Sequence, residues 1–331
     1  MIHPRCMASR IHTIERHEAG QTILSWLQRR LGLPRQEALT QLASRKVRIN
    51  GMPCSSAEWR LRAGQRIELP APREQPRRRP ESPSHGPIVV RHVDAAIVVV
   101  DKPANLTTMR HAEESAEFGR RAQRYLPTTL ADLLPDLLAS YNRGKPVPVR
   151  AVHRLDRDTT GLVVFARTPE AEASLGMQFR AHSIDRVYQA IVRGQATSQR
   201  IESWLVRDRG DGRRGSGPSS DQAQRAVTHV ELLESLGVFS LVQCRLETGR
   251  THQVRIHLGE AGTPLCGEKV YDRPLHGRPY PDSSDFPRPA LHAATLGLDH
   301  PTTGERLHWE SDLPRDMASL LRHLRQKHQS S

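Results

Sequence analysis

From Ala71 to Pro87 the chain reads APREQPRRRPESPSHGP, and a segment of that composition cannot bury a core. Pro72, Pro76, Pro80, Pro83 and Pro87 remove backbone donors, and almost no apolar side chain is present to offset the entropy of ordering them. The stretch reads as a linker, so the parts before and after it must each bury their own hydrophobic residues. With 331 residues and 37% hydrophobic content, the chain can supply one full core and one small one.

Charge divides along the same line. Met1 to Pro87 carry 16 Lys and Arg against 7 Glu and no Asp, so a quarter of the length holds most of the formal net charge of +13. An excess of that size on a soluble chain points to a polyanionic partner, nucleic acid before anionic membrane. Arg77 to Arg79 in the linker can serve as nucleic-acid-backbone contacts or simply as solubilising charge. No apolar run reaches the ~18 residues a membrane span needs, and the first residues lack the apolar centre of a secretion signal. A cytoplasmic protein without membrane association is expected. Cys6, Cys54, Cys244 and Cys266 are scattered, and the 17 histidines show no H-E-x-x-H spacing, so neither a disulfide framework nor a metal site is expected.

In the first part, Ile23, Leu24, Leu27 and Leu31 share one helical face, with Arg29 and Arg30 opposite. Past the break at 32–34, a second helical run from Arg35 places Ala38, Leu39 and Leu42 together and ends in Arg45 and Lys46. Then VRINGMPC, which includes Arg48, carries an Asn50-Gly51 turn, and LRAGQRIEL carries a Gly64 turn before a short strand. These elements make an α+β module of ~50 residues, near the lower limit for an independent core.

The second part contains the strand-like runs AAIVVV, GLVVFA, RVYQAIV and VFSLVQCRL, with helical runs near 171–181, 251–259 and 314–326. Strands outnumber helices and do not alternate with them, which predicts an α+β fold with a mixed, largely antiparallel sheet flanked by helices. Two stretches, 109–145 and 208–222, read as inserted or mobile.

The densest chemistry lies at Ala151-Val152-His153-Arg154-Leu155-Asp156-Arg157-Asp158-Thr159-Thr160-Gly161-Leu162, between a proline-rich loop and an apolar strand. Loops held by rigid strands are where active sites gather. On the residues alone, Asp156 is more simply a turn or cap carboxylate. Five further blocks change that reading: Asp101-Lys102-Pro103-Ala104; Arg186-Val187-Tyr188-Gln189-Ala190 with Gly194; the run from Leu246 to Leu258, LETGRTHQVRIHL; Gly267 with Tyr271; and Leu291-His292-Ala293 with His300 to Glu305. Taken in order, these resemble the signature blocks of the RluA family of pseudouridine synthases. Residues 21–70 resemble an S-four-type RNA-binding domain, an αL module. The division expected from the two resemblances is an extension over 1–20, that RNA-binding domain over 21–70, the linker over 71–87 and a pseudouridine synthase catalytic domain over 88–326. Three positions depart from the family pattern: Thr160 stands for a usual Ser, Asn105 for a frequent Gly and Glu268 for a common Asp.

The resemblance implies isomerisation of selected uridines in structured RNA, without metal or cofactor, through Asp156. A carboxylate can start that reaction by attacking the anomeric carbon or by removing a ribose proton, and the sequence does not choose between them. Arg255 is implied as the partner that keeps Asp156 ionised, Tyr188 as the ring that stacks on the base, and Arg154 as the side chain that fills the space of a flipped nucleotide. Leu258 and Thr160 are expected beside the substrate, and His153, His252 and His257 are expected in structural or RNA-contacting roles. Arg29, Arg30, Arg35, Arg45, Lys46 and Arg48 are the expected phosphate contacts of the small domain. An S-four-type domain joined to such a catalytic domain favours ribosomal RNA over transfer RNA, acted on by a monomer. A noncatalytic RNA-binding or ribosome-assembly protein is the alternative of another class, and the co-occurrence of Asp156, Tyr188 and Arg255 argues against it.

Overall fold

The computed structural model describes residues 9–33, 35–44, 46–70, 85–110, 127–142 and 144–329. The chain separates into two compact units, Met1–Arg79 and Pro80–Ser331. Among the described residues no helix is long and apolar enough to cross a membrane.

The smaller unit runs β1 (Ser9–Thr13), α1 (Ile23–Leu31), α2 (Arg35–Ala43), β2 (Arg48–Ile49), β3 (Met52–Pro53) and β4 (Arg66–Pro70), with sheet order β1-β4-β2-β3. Thr22 caps α1 by accepting the Ser25 N–H, and Gly32 ends it in the left-handed region at φ 66°. Ile23, Leu24, Trp26 and Leu27 are buried, and Trp26 donates its ring N–H to Glu18 at 3.0 Å. On α2, Ala38 and Leu42 are buried while Leu39 stays exposed, so the apolar stripe is narrower than its spacing predicts. Asn50 and Gly51 both have positive φ, 49° and 81°, the geometry of a two-residue hairpin turn. β1 pairs with β4 along its whole length. The small unit's sheet therefore includes residues expected to form a separate extension, because Ile11 and its neighbours complete an edge that β4 would otherwise leave open.

The larger unit holds β5 (Val89–Val93), β6 (Ile97–Lys102), α3 (Leu130–Leu137), β7 (Arg150–Ala151), β8 (Thr160–Ala166), α4 (Pro169–Ala181), β9 (Asp185–Arg193), β10 (Gln199–Val206), β11 (Gly215–Gly217), β12 (Gln224–Ser235), β13 (Phe239–Leu246), α5 (Gln253–Glu260), β14 (Leu291–Asp299), β15 (Arg306–Glu310) and α6 (Arg315–Gln329). One sheet runs β11-β10-β12-β13-β9-β14-β8-β6-β5, with β15 added to β14 and β7 to β8. The fold is α+β and the sheet mixed. Its pairings are antiparallel except at β14–β8, where two antiparallel halves meet in parallel.

That junction explains a motif glycine. Gly161 lies opposite Ala293 at φ 110°, and a Cβ there would sit 2.2 Å from the Ala293 carbonyl oxygen. Ala293 in turn pairs with Tyr188 on β9. Close approach of β8 to β14 thus brings the loop preceding β8 and the Tyr188 side of β9 to the same part of the sheet. Gly161→Ala combines a backbone clash with a forbidden φ, and should cost several kcal/mol of stability, read as a lower urea midpoint.

Two stretches expected to be inserted or mobile are anchored where described. Leu130, Leu134 and Leu138 are fully buried in the cluster with Val98, Val163 and Phe165. In the loop before β11, the Asp208 carboxylate accepts the N–H groups of Gly210 and Gly212, and Arg209 pairs with Asp211 at 3.0 Å and Glu260 at 3.4 Å.

Candidate active site

Asp156 sits on a loop held from both sides. Upstream, the Thr108 hydroxyl donates to the Leu155 carbonyl at 2.8 Å and accepts the Leu155 N–H at 3.1 Å. Downstream, the ammonium of fully buried Lys102 donates to the carbonyls of Pro103, Leu106 and Arg157 at 2.8–3.0 Å. Burial pushes the Lys102 ammonium down to about 7, against the pull of Asp158 and Asp156. Asn105 takes φ 60° on the same turn and accepts from the Arg157 guanidinium, a conformation that Asn adopts more readily than most residues. The loop is positioned before any substrate arrives.

The Asp156 carboxylate faces two cationic or potentially cationic groups. Arg255 on α5 donates to it at 3.1 Å, and the His252 ring nitrogen lies 3.7 Å away. The rest of the Arg255 fork is bidentate to Glu268, at 2.7 and 2.9 Å. Glu268 is fully buried and also accepts the backbone N–H groups of Lys269, Val270 and Tyr271. Burial opposes both charges. The Arg255 bond and charge, with those amides, nevertheless hold Glu268 below the usual carboxylate range. The two carboxylates hold Arg255 above its ordinary value. The Tyr271 ring lies 5.2 Å from the Arg255 guanidinium, and its hydroxyl is 2.7 Å from the second His252 nitrogen. Arg255 is thus a fixed cation beside Asp156.

A cavity of about 430 Å³ opens over this pair, lined by Asp156, Arg255, Tyr188, Arg154 and His252 with Val254 and Leu291 as apolar wall. Burial pushes the Tyr188 hydroxyl up to about 12, so it stays protonated at neutral pH. Arg180, Arg186 and Arg250 also line the cavity, which gives it a cationic rim suited to a phosphate-bearing substrate, while His182 beside them is held below its ordinary value by burial and by Arg186 and Arg250. Leu258 is buried behind it, in one cluster with Val254 and Tyr188. Thr160 is buried with its hydroxyl 2.9 Å from the His292 ring, so neither residue lines the cavity as the sequence predicts. Both belong to the packing that shapes its wall.

Arg186, like Arg180, His182 and Arg250, is a lining residue that the sequence does not single out. Its Nε is buried without a hydrogen-bond partner, and one weak bond runs from Nη2 to the Glu247 carbonyl at 3.5 Å. Gly249 makes room for it, since a Cβ there would lie 2.3 Å from Nη1. The signal was present: Arg186 and Tyr188 are two residues apart on a strand, so they share a face.

His153 accepts the Val164 N–H at 3.0 Å and stacks on Phe179, and His257 lies between Thr228 and Ser203. Burial holds their imidazoles down, to about 3 and about 4. The unfolded chain therefore takes up protons at these two sites below its ordinary histidine pKa while the native chain does not, and stability falls as pH drops from about 6.5 to 4. Urea unfolding across that window should show the loss, and His257→Asn should lessen it by about one proton. Among the described residues no three His, Cys, Asp or Glu side chains converge as a metal site.

On the small unit Arg29, Arg30, Arg35, Lys46 and Arg48 are exposed, while Arg45 lies outside the described residues.

The RNA pseudouridylate synthase family profile matches residues 96–260. Ribosomal large subunit pseudouridine synthase D of Pseudomonas aeruginosa is 39% identical over 239 residues, covering 70% of each chain. The chain belongs to the RNA pseudouridylate synthase family. The synthase D of Zymomonas mobilis is 36% identical over 262 residues, covering 78% of each chain. Among solved structures, human RNA Pseudouridylate Synthase Domain Containing 4 superposes with a TM-score of 0.56 at 25% identity, over 72% of this chain and 93% of that one. The enzyme is accordingly an isomerase that converts uridine to pseudouridine in RNA. The sheet junction and the Asp156 loop lie inside the matched region or directly against it.

Proposed function

We propose that this synthase acts on large-subunit ribosomal RNA as a cytoplasmic monomer and that Asp156 is its essential carboxylate. The ion pair of Asp156 with a buttressed Arg255, at the floor of an arginine-rimmed cavity, carries the reading. Arg255 aims the Asp156 carboxylate for attack on the anomeric carbon or removal of a ribose proton. Tyr188, fixed by the Ala293 pairing, stacks on the flipped base, and Arg154 occupies the space that the nucleotide leaves. Val254 and Leu291 give the base an apolar wall. The small unit, with its exposed Arg29, Arg30, Arg35, Lys46 and Arg48, holds RNA phosphates as an S-four-type domain does. The two synthase D relatives, whose names state a ribosomal large-subunit role, support ribosomal over transfer RNA. Mapping pseudouridines in both RNA classes from cells with and without the chain tests this. Loss of one or a few sites in large-subunit RNA is expected, and loss confined to transfer RNA would overturn the assignment.

A further inference from the structure

A second, smaller cavity of about 170 Å³ adjoins the first, and Arg250 lines both. Arg207, Arg214, Gln222, Gln224 and Thr251 also line it, and no Asp or Glu does. Nearby arginines are neutralised: Arg209 by Asp211 and Glu260, Arg225 by Glu202 at 2.6 Å, and Arg200 by Glu202 and Glu247. Glu260 is further engaged by the Ser216 N–H and hydroxyl. Among the described residues, Arg207, Arg214 and Arg250 have no carboxylate within ion-pair distance. Three guanidinium groups around one small polar cavity repel each other, and an anion that enters offsets the repulsion.

The loop that presents two of these arginines is preorganised. Asp208 closes it on the Gly210 and Gly212 amides, Arg209 donates its backbone N–H to the Arg213 carbonyl, and the Arg209 side chain ties it to the end of α5. Arg207 and Arg214 flank this closed turn on β10 and β11 sides, so their backbones are fixed before binding. Arg250 is held by its own bond to the Arg225 carbonyl at 3.0 Å. A subsite built this way holds a phosphate without a large ordering cost.

We infer that Arg207, Arg214 and Arg250 form a second anion subsite, which takes a phosphodiester of the RNA strand flanking the reacting uridine. This rests on the RNA reading above, because the shared Arg250 wall makes the two cavities neighbours along one strand. The subsite sets the register of the strand, so its loss weakens productive binding more than it slows chemistry.

The test uses the full chain and an unmodified transcript of large-subunit ribosomal RNA. Filter binding across a potassium chloride series is compared for wild type, Arg207→Gln/Arg214→Gln and a control pair on α6, Arg315→Gln/Arg322→Gln. The subsite pair should raise KM and Kd about tenfold, change kcat less than about twofold, and flatten the log Kd against log salt slope by about 1. The control pair should leave the slope close to wild type. Equal slopes for the two pairs, or a fall in kcat at constant KM, would overturn the subsite. So would inhibition by inorganic phosphate that the subsite pair relieves without any change in slope, since that marks a site for free anion. Absence of turnover by wild type would count against the ribosomal reading alone, because the binding slopes decide the subsite without turnover.

Discussion

Replacing Asp156 by Asn will lower isomerisation by about 10⁴-fold or more, about 5.5 kcal/mol of lost transition-state stabilisation, while RNA affinity stays within about threefold. The substitution keeps side-chain volume and an oxygen acceptor toward Arg255, and it leaves the Arg255–Glu268 fork in place. What it removes is the negative charge, and with it the group that would attack the anomeric carbon or take the ribose proton. A loss of affinity would mean that Asp156 organises the loop, but that task already falls to Thr108 and Lys102, which bond the backbone on either side of it. Asp156→Glu adds a methylene and moves the carboxylate about 1 Å, and should cost about 10²-fold in kcat. Single-turnover measurements on a ribosomal RNA transcript read both. Asp156→Asn activity within tenfold of wild type would sink the assignment.

A proline and arginine run announces a boundary by composition, and the Asn50-Gly51 turn is legible because positive φ at both positions favours those residues. Ordered blocks place Asp156, Tyr188 and Arg255 in one site, and the sheet does bring all three to one cavity. Other features escape such reading for physical reasons. Lys102 looks like a surface lysine until three carbonyls from separate turns close around it. Leu130, Leu134 and Leu138 have helical spacing, but Pro135 reads as a breaker, whereas burial of the leucines maintains the helix around it. The 208–222 stretch is polar and glycine-bearing, so composition suggests mobility. Its order comes from Arg209, whose partner Glu260 lies about fifty residues away. Long-range polar pairing of that kind leaves no local pattern.

Glu268 shows how much rests on such a partner, and Glu268→Gln should be the most damaging change outside the Asp156 loop. The carboxylate is fully buried and receives two bonds from Arg255 and three from backbone amides. An amide offers one oxygen in place of two and points its own donors at other donors. Breaking a buried pair by removing one charge typically costs about 3–5 kcal/mol, and a drop of that order is expected in urea unfolding. Activity should fall further than stability explains. With Glu268 neutral, the Arg255 fork loses the anchor that orients it, and its contact with Asp156 becomes one of several accessible arrangements. A kcat loss of about 10²-fold with a small change in KM is expected at a temperature where the variant is fully folded. Glu268→Asp restores the charge and should recover most of kcat. If Glu268→Gln instead keeps wild-type kcat once folded, Arg255 needs no orientation from Glu268, and the pair serves stability alone.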